Sequence, residues 1–82
     1  MKNKISLKES EARILILLSQ VTNGNRNASF ISAKLNIDYS HTLHLLKRLL
    51  VMRWIRMEQY AVKKYYFLTE SAPLKEAKEL IR

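Results

Sequence analysis

Apolar positions recur with helical spacing through the first fifty residues and then switch to strict alternation. Ser6-Leu7-Lys8-Glu9 fits a capping box, in which the Ser6 hydroxyl accepts from a first-turn amide and Glu9 reaches back. The helix it opens is predicted to run to about Val21. Ala12, Leu15 and Leu18 share a face with Ile14 and Val21, while Ile16 and Leu17 spill beyond it. Only Glu9, Arg13 and Gln20 form a polar stripe, so the apolar arc is wider than one core contact needs. Two readings stay open: a deeply buried central helix, or a helix with one side packed on a second subunit. Thr22-Asn23-Gly24-Asn25 ends it, with Gly24 expected to enter the left-handed region.

A second helix is predicted from Asn27 or Ala28 to Leu35, with Phe30, Ile31, Ala33 and Leu35 as its apolar face and Ser29, Ser32 and Lys34 left wet. Asn36-Ile37-Asp38 is a turn in which Ile37 plugs the core. Asn36 stands in for glycine there, and Asp38 caps the next helix. That third helix is predicted over 39–52. At about 100° per residue, Tyr39, Thr42, Leu43, Leu46, Leu49 and Leu50 make the core stripe. Ser40, His41, His44, Lys47 and Arg48 lie opposite, with Leu45 and Val51 at the margins.

Ile55-Arg56-Met57-Glu58-Gln59 alternates with period two and predicts a strand. Tyr65-Tyr66-Phe67-Leu68-Thr69 predicts a second, joined to the first by a short basic loop, 60–64. Without Gly, Asn or Asp in that loop, the turn type is open. Thr69 or Ser71 is expected to cap a last helix with Pro73 in its first turn. Leu74, Ala77 and Ile81 share one side of it, with Leu80 near. So short a helix needs a packing partner in this domain or another subunit. The fold class is therefore mainly α with a small β-hairpin, in the order α-α-α-β-β-α, as a single domain over 1–82.

Composition narrows the function. The 82 residues are 48% hydrophobic, with one glycine, one proline and no cysteine, which excludes disorder, disulfides and thiolate metal sites. No secretory signal or membrane span is evident, and a cytoplasmic location is expected (that of a host cell for a viral protein). Formal net charge is +8. Between Arg26 and Lys64, eight basic residues face two acidic ones, so this stretch carries six of the eight net charges. Charge concentrated there points to a polyanion partner rather than to solubility alone.

Ser29 to Trp54 reads as helix, tight turn and longer helix: a helix-turn-helix whose second helix enters the DNA major groove. Ile31-Ser32-Ala33-Lys34-Leu35, Ser40 through Leu50, Trp54-Ile55 and the aromatic-x-Leu-Thr-Glu pattern of Tyr66 to Glu70 carry a wider resemblance. The chain resembles the winged helix-turn-helix regulators, most of all the small MarR- and PadR-type and archaeal or archaeal-virus repressors. Coverage runs from about 7 to 81. Two departures are that Arg53 stands where those families often have glycine before the wing, and that Ser71-Ala72-Pro73 replaces a glycine after Thr-Glu. The resemblance implies a sequence-specific, double-stranded DNA-binding transcription regulator, a repressor rather than an activator, acting as a homodimer.

The expected DNA contacts are Ser40, His41, His44, Lys47 and Arg48 from the third helix. Arg53, Arg56, Lys63 and Lys64 come from the wing over 55–69. For Ser40 the alternative is a second helix cap, and for Lys47 and Arg48 a solvated basic face. His41 and His44 have i, i+3 spacing, which admits a metal pair, but no third ligand is apparent, so no metal and no cofactor are expected. The expected dimer contacts are Ile14, Ile16, Leu17, Leu74, Ala77 and Ile81. No membrane partner and no small-molecule ligand is expected. With no phosphate loop and no nucleophile-base pair, an enzyme is not expected. The alternatives are a winged-helix protein-interaction module in a larger complex, and RNA binding.

Overall fold

A computed structural model describes residues 7–81. The elements are α1 (Glu9–Leu18), a 3₁₀ turn (Asn23–Asn25), α2 (Ala28–Leu35), α3 (Tyr39–Val51), β1 (Ile55–Tyr60), β2 (Lys63–Leu68) and α4 (Leu74–Ile81). The predicted order holds. Helix α1 is the centre of the core: Ala12, Ile14, Leu15 and Leu18 are fully buried among Ile31, Leu46, Leu49, Ile55 and Ala77. Burying a side chain such as Leu15 is worth about 1.5–3 kcal/mol. Its main neighbour is α4, packed along it, while α2 and α3 close the other side. The width of the α1 apolar arc is thus largely explained within one chain. The molecule is elongated, 45 × 23 × 22 Å.

Several boundaries differ from expectation for identifiable reasons. Ser6 lies outside the described residues. Among these, α1 starts from Lys8, whose N–H donates to Glu11 Oε1 at 3.2 Å, so Glu11 rather than Glu9 reaches back. Glu9 instead pairs with Arg13 across one turn, at 2.6 Å. The helix stops at Leu18, not Val21. The Ser19 hydroxyl donates to the Ile16 carbonyl at 2.6 Å, and Gln20 N–H bonds the Leu17 carbonyl at 2.9 Å, tightening the end to i→i+3 bonds. Gly24 does not adopt positive φ; it sits inside the 3₁₀ turn.

Arg26 secures this corner. Its guanidinium donates to the carbonyls of Leu18 at 2.9 Å and Val21 at 3.4 Å, both left open at the end of α1. A cation there also meets the negative end of the helix. Its own carbonyl accepts the N–H of Tyr66 at 2.8 Å, tying the α1–α2 connection to β2. Arg26 is thus a structural residue, and its charge does not belong with the free basic surface counted from sequence.

Helix α2 is capped by Asn27, whose Oδ1 accepts the Phe30 N–H at 2.8 Å. Of its expected apolar face, Ile31 is buried, Phe30 and Leu35 are half-buried, and Ala33 is exposed. Asn36 ends α2 in the left-handed conformation, φ 56° and ψ 47°, as its lone substitution for glycine required. The Ile37 N–H bonds the Ser32 carbonyl at 3.0 Å and the Asn36 N–H bonds the Ala33 carbonyl at 3.3 Å, a Schellman ending. Helix α3 ends the same way around Arg53, φ 65°, with Trp54 N–H on the Leu49 carbonyl at 3.1 Å and Arg53 N–H on the Leu50 carbonyl at 3.0 Å.

The core stripe of α3 is rotated from the predicted one. Thr42, Leu45, Leu46 and Leu49 are buried, whereas Tyr39 and Leu43 are exposed and Leu50 is half-buried. Leu45, placed at the margin from sequence, is in the core. Thr42 sits in the core as expected, its hydroxyl donating to the Asp38 carbonyl at 3.0 Å.

The antiparallel hairpin pairs Ile55 with Leu68 through Tyr60 with Lys63, so only Ala61 and Val62 form the turn. The predicted five-residue basic loop is absent; Tyr60, Lys63 and Lys64 belong to strands. Ala61 has φ 57° and Val62 does not share a positive φ, so alanine occupies a position that usually takes glycine. The Thr69 hydroxyl does not cap α4 as expected. It donates to the Arg53 carbonyl at 2.7 Å, and α4 starts after buried Pro73.

Candidate nucleic-acid interface

Asp38 sets the start of α3. Its Oδ2 accepts the N–H groups of Ser40 at 3.1 Å and His41 at 3.4 Å, and also the Ser40 hydroxyl at 2.8 Å. The Ser40 hydroxyl and the His41 amide hold this exposed carboxyl below its ordinary value. The Ser40 hydroxyl thus supports the Asp38 cap by donating to it and is not itself a second cap, and its proton is not directed outward.

The arrangement of Arg48 corrects the sequence reading most. Its Nε donates to Oε2 of Glu11 on α1, and Glu11 is 1% exposed. Arg48 therefore folds back over the edge of α3 onto the core instead of pointing outward with His44. The sequence signal existed: Glu11 falls among apolar neighbours on the buried side of α1, and a buried carboxylate needs a cation.

The outward side of α3 then consists of His44, Lys47 and Val51, flanked by His41 on one side and by Leu43 and Tyr39 on the other. His41, His44 and Lys47 are exposed, and their side chains make no hydrogen bond or ion pair among the described residues. Val51 is 75% exposed.

The register places Arg56 and Lys63 on one face of the hairpin and Lys64 on the other. Arg56 pairs with Glu58 and lies over the Phe67 ring, 4.5 Å from its centroid. Glu58 also accepts from the Tyr60 hydroxyl at 2.5 Å. The hydrogen bonds from Tyr60 and Arg56 lower the Glu58 carboxyl, and the Glu58 hydrogen bond and negative charge raise the Tyr60 phenol. Arg56 is thus committed within the wing. Lys63 and Lys64 are exposed near the tip and line an open cleft of about 570 Å³. Tyr39 and Leu43 of α3 line it too, as do Asn27 and Ser29 at the start of α2. No acidic residue lines it. Arg53, exposed at the junction of α3 and β1, has its backbone fixed by the helix ending.

Among the described residues, His41, His44 and Lys47 on α3 and Lys63 and Lys64 on the hairpin are exposed and make no side-chain hydrogen bond or ion pair. Arg48, Arg56 and the Ser40 proton do not belong to that set. Tyr39 and Leu43, expected in the core stripe, are exposed beside this surface, as is Val62 of the hairpin turn. Among the expected dimer contacts, Ile14, Leu17 and Ala77 are buried inside the chain itself and offer no surface. Ile16, Leu74 and Ile81 are half-buried, and Leu80 beside them is 48% exposed.

Helix, helix-turn-helix, two-stranded wing and closing helix make this a winged-helix fold. Similar solved structures include MarR-family transcriptional regulators. The chain is similar to ZitR of Lactococcus lactis, solved in complex with DNA, at 24% identity and TM-score 0.77, over 95% of this chain and 55% of that one. It is similar to the adhesin competence repressor AdcR of Streptococcus pyogenes at 23% identity and TM-score 0.76, over 92% and 57%. It is also similar to a MarR/EmrR family regulator from Acinetobacter sp. ADP1 at 22% identity and TM-score 0.74, over 94% and 54%. The chain spans little more than half the length of these proteins. No protein-family model and no curated protein matches the sequence.

AdcR is a zinc-dependent regulator, also solved with zinc bound. The residues here do not fit such a centre. Among the described residues no group of three His, Cys, Asp or Glu side chains could hold a metal ion, and the sequence contains no cysteine. No helix among them is long and apolar enough to cross a membrane.

Proposed function

We propose that the chain is a double-stranded DNA-binding transcription regulator that places α3 in the major groove and the hairpin against the flanking backbone. The observation that carries this reading is the cleft between α3 and the wing. Lys63 and Lys64 are among its lining residues, no acidic residue lines it, and the exposed His44 and Lys47 lie on α3, which also contributes Tyr39 and Leu43 to it. The fold similarity to a DNA-bound regulator supports the same docking. Lysines at the wing supply sequence-independent phosphate contacts. His44 and Lys47 reach base edges or phosphates inside the groove.

Regulation by promoter occlusion fits this reading, which makes a repressor the favoured role. Two copies would present α3 to half-sites about 34 Å apart, one helical turn. The exposed flank of α1 and α4, with Ile16, Leu74, Leu80 and Ile81, is the surface suited to that pairing. Selection of bound duplexes from a random pool at two salt concentrations tests the proposal. Enrichment of a palindrome is expected; recovery of no duplex at either salt would contradict it. Sedimentation of a dilute sample as a monomer would contradict the dimer.

A further inference from the structure

We infer that Leu43 is a specificity-determining residue that reads the 5-methyl groups of thymine on the wall of the major groove. The inference rests on the DNA-binding reading above and names the base feature that this site takes.

Three observations carry it. First, two polar side chains of α3 are engaged within the chain: Arg48 is tethered to Glu11 through its Nε, and the Ser40 hydroxyl donates to Asp38. Second, Leu43 is 39% exposed although the core beside it is filled by Thr42, Leu45, Leu46 and Leu49. It shares a ridge with Tyr39 and Lys47, at i−4 and i+4, on the outward flank of the helix. Third, Leu43 and Tyr39 line the same open cleft as the exposed Lys63 and Lys64 of the hairpin. A phosphodiester strand drawn to those lysines brings the adjoining groove wall against Leu43. The only apolar group a base pair exposes in that groove is the thymine methyl. Charge complementarity thus selects a nucleic-acid backbone for the cleft, and the apolar ridge selects what lies beside it.

The test replaces thymine by uracil, which removes the methyl and leaves every hydrogen-bonding group in place. Wild-type protein is titrated with its selected duplex and with the uracil version. Each contacted methyl is expected to be worth about fourfold in affinity, from roughly one buried methylene equivalent. Leu43→Ala should bind both duplexes equally, at the level of the wild type on uracil DNA. Wild-type binding that is tight and indifferent to uracil overturns this inference and leaves the DNA-binding reading standing. Leu43→Ala that keeps the full thymine preference overturns the assignment to Leu43. Absence of binding to any duplex overturns both. The decisive change is made in the DNA, so the wild-type result does not depend on how the variant folds.

Discussion

Arg48 and Glu11 join α3 to α1 through a side-chain hydrogen bond between opposite charges, with the carboxylate sealed in the core and the guanidinium partly in solvent. Glu11 has a second partner, the Lys8 N–H. The pair sets the position of α3 on the helix that forms the centre of the domain. Removing the arginine leaves a buried, under-compensated carboxylate.

Arg48→Ala is therefore expected to destabilise the fold by about 2–4 kcal/mol, below the top of the range for buried pairs because the arginine is partly solvated. The double change Glu11→Leu with Arg48→Met should recover most of that loss, since apolar replacement of a buried pair is often neutral. Urea unfolding measures both. A stable Arg48→Ala protein with reduced sequence preference would return Arg48 to the groove.

Arg53 and Ala61 hold positive φ, 65° and 57°, where a Cβ is disfavoured. Replacing either by glycine removes that cost, about 1–2 kcal/mol, against a smaller loss from the more flexible unfolded chain. A gain of about 0.5–1 kcal/mol is expected for each, read as a higher urea midpoint. A lower midpoint for Arg53→Gly would mean that its side chain contributes contacts exceeding the backbone strain.

The element order, the Asn36 ending and the Asp38 cap were legible from sequence because each depends on local chemistry: helical spacing, one residue tolerant of the left-handed region, one carboxylate before a helix. The orientation of α3 was not. Its wheel contains more apolar residues than one core face can hold, and which of them stay outside is decided by what α1 and the hairpin present. The same holds for charge. Eight basic residues were counted as one surface, yet Arg26 binds the end of α1, Arg48 binds Glu11 and Arg56 binds Glu58. Composition reports charge but not its partners, so the candidate site shrank to His41, His44, Lys47, Arg53, Lys63 and Lys64. The turn of the hairpin was illegible because Ala61-Val62 carries no turn signal at all.

Tyr66 gives a pH dependence with a definite sign. Burial first, and the nearby Tyr39 second, raise its phenol above the ordinary value of 10.0. The unfolded chain therefore loses the proton first as pH rises. The associated stability is complete below about pH 10 and is lost as pH climbs through the higher folded value. Thermal midpoints should fall in that window, and Tyr66→Phe should flatten the fall. Tyr60, raised by Glu58, adds a contribution of the same sign. An equally steep fall in the Tyr66→Phe protein would contradict this.

Lys63 and Lys64 are expected to act without regard to sequence. Changing both to alanine should weaken binding to selected and random duplexes alike and lower the slope of log K against log salt by about 2. Loss confined to the selected duplex would instead make them base readers.

The most direct measurement is the ratio of affinities for the selected and a random duplex, taken for wild type and for the combined change His44→Ala and Lys47→Ala. Both residues are exposed on α3, so the variant should keep the unfolding midpoint of the wild type. A wild-type ratio of about 1,000 or more is expected, as for specific DNA-binding proteins, collapsing by at least about tenfold in the variant. An unchanged ratio in a folded variant would contradict the placement of α3 in the groove.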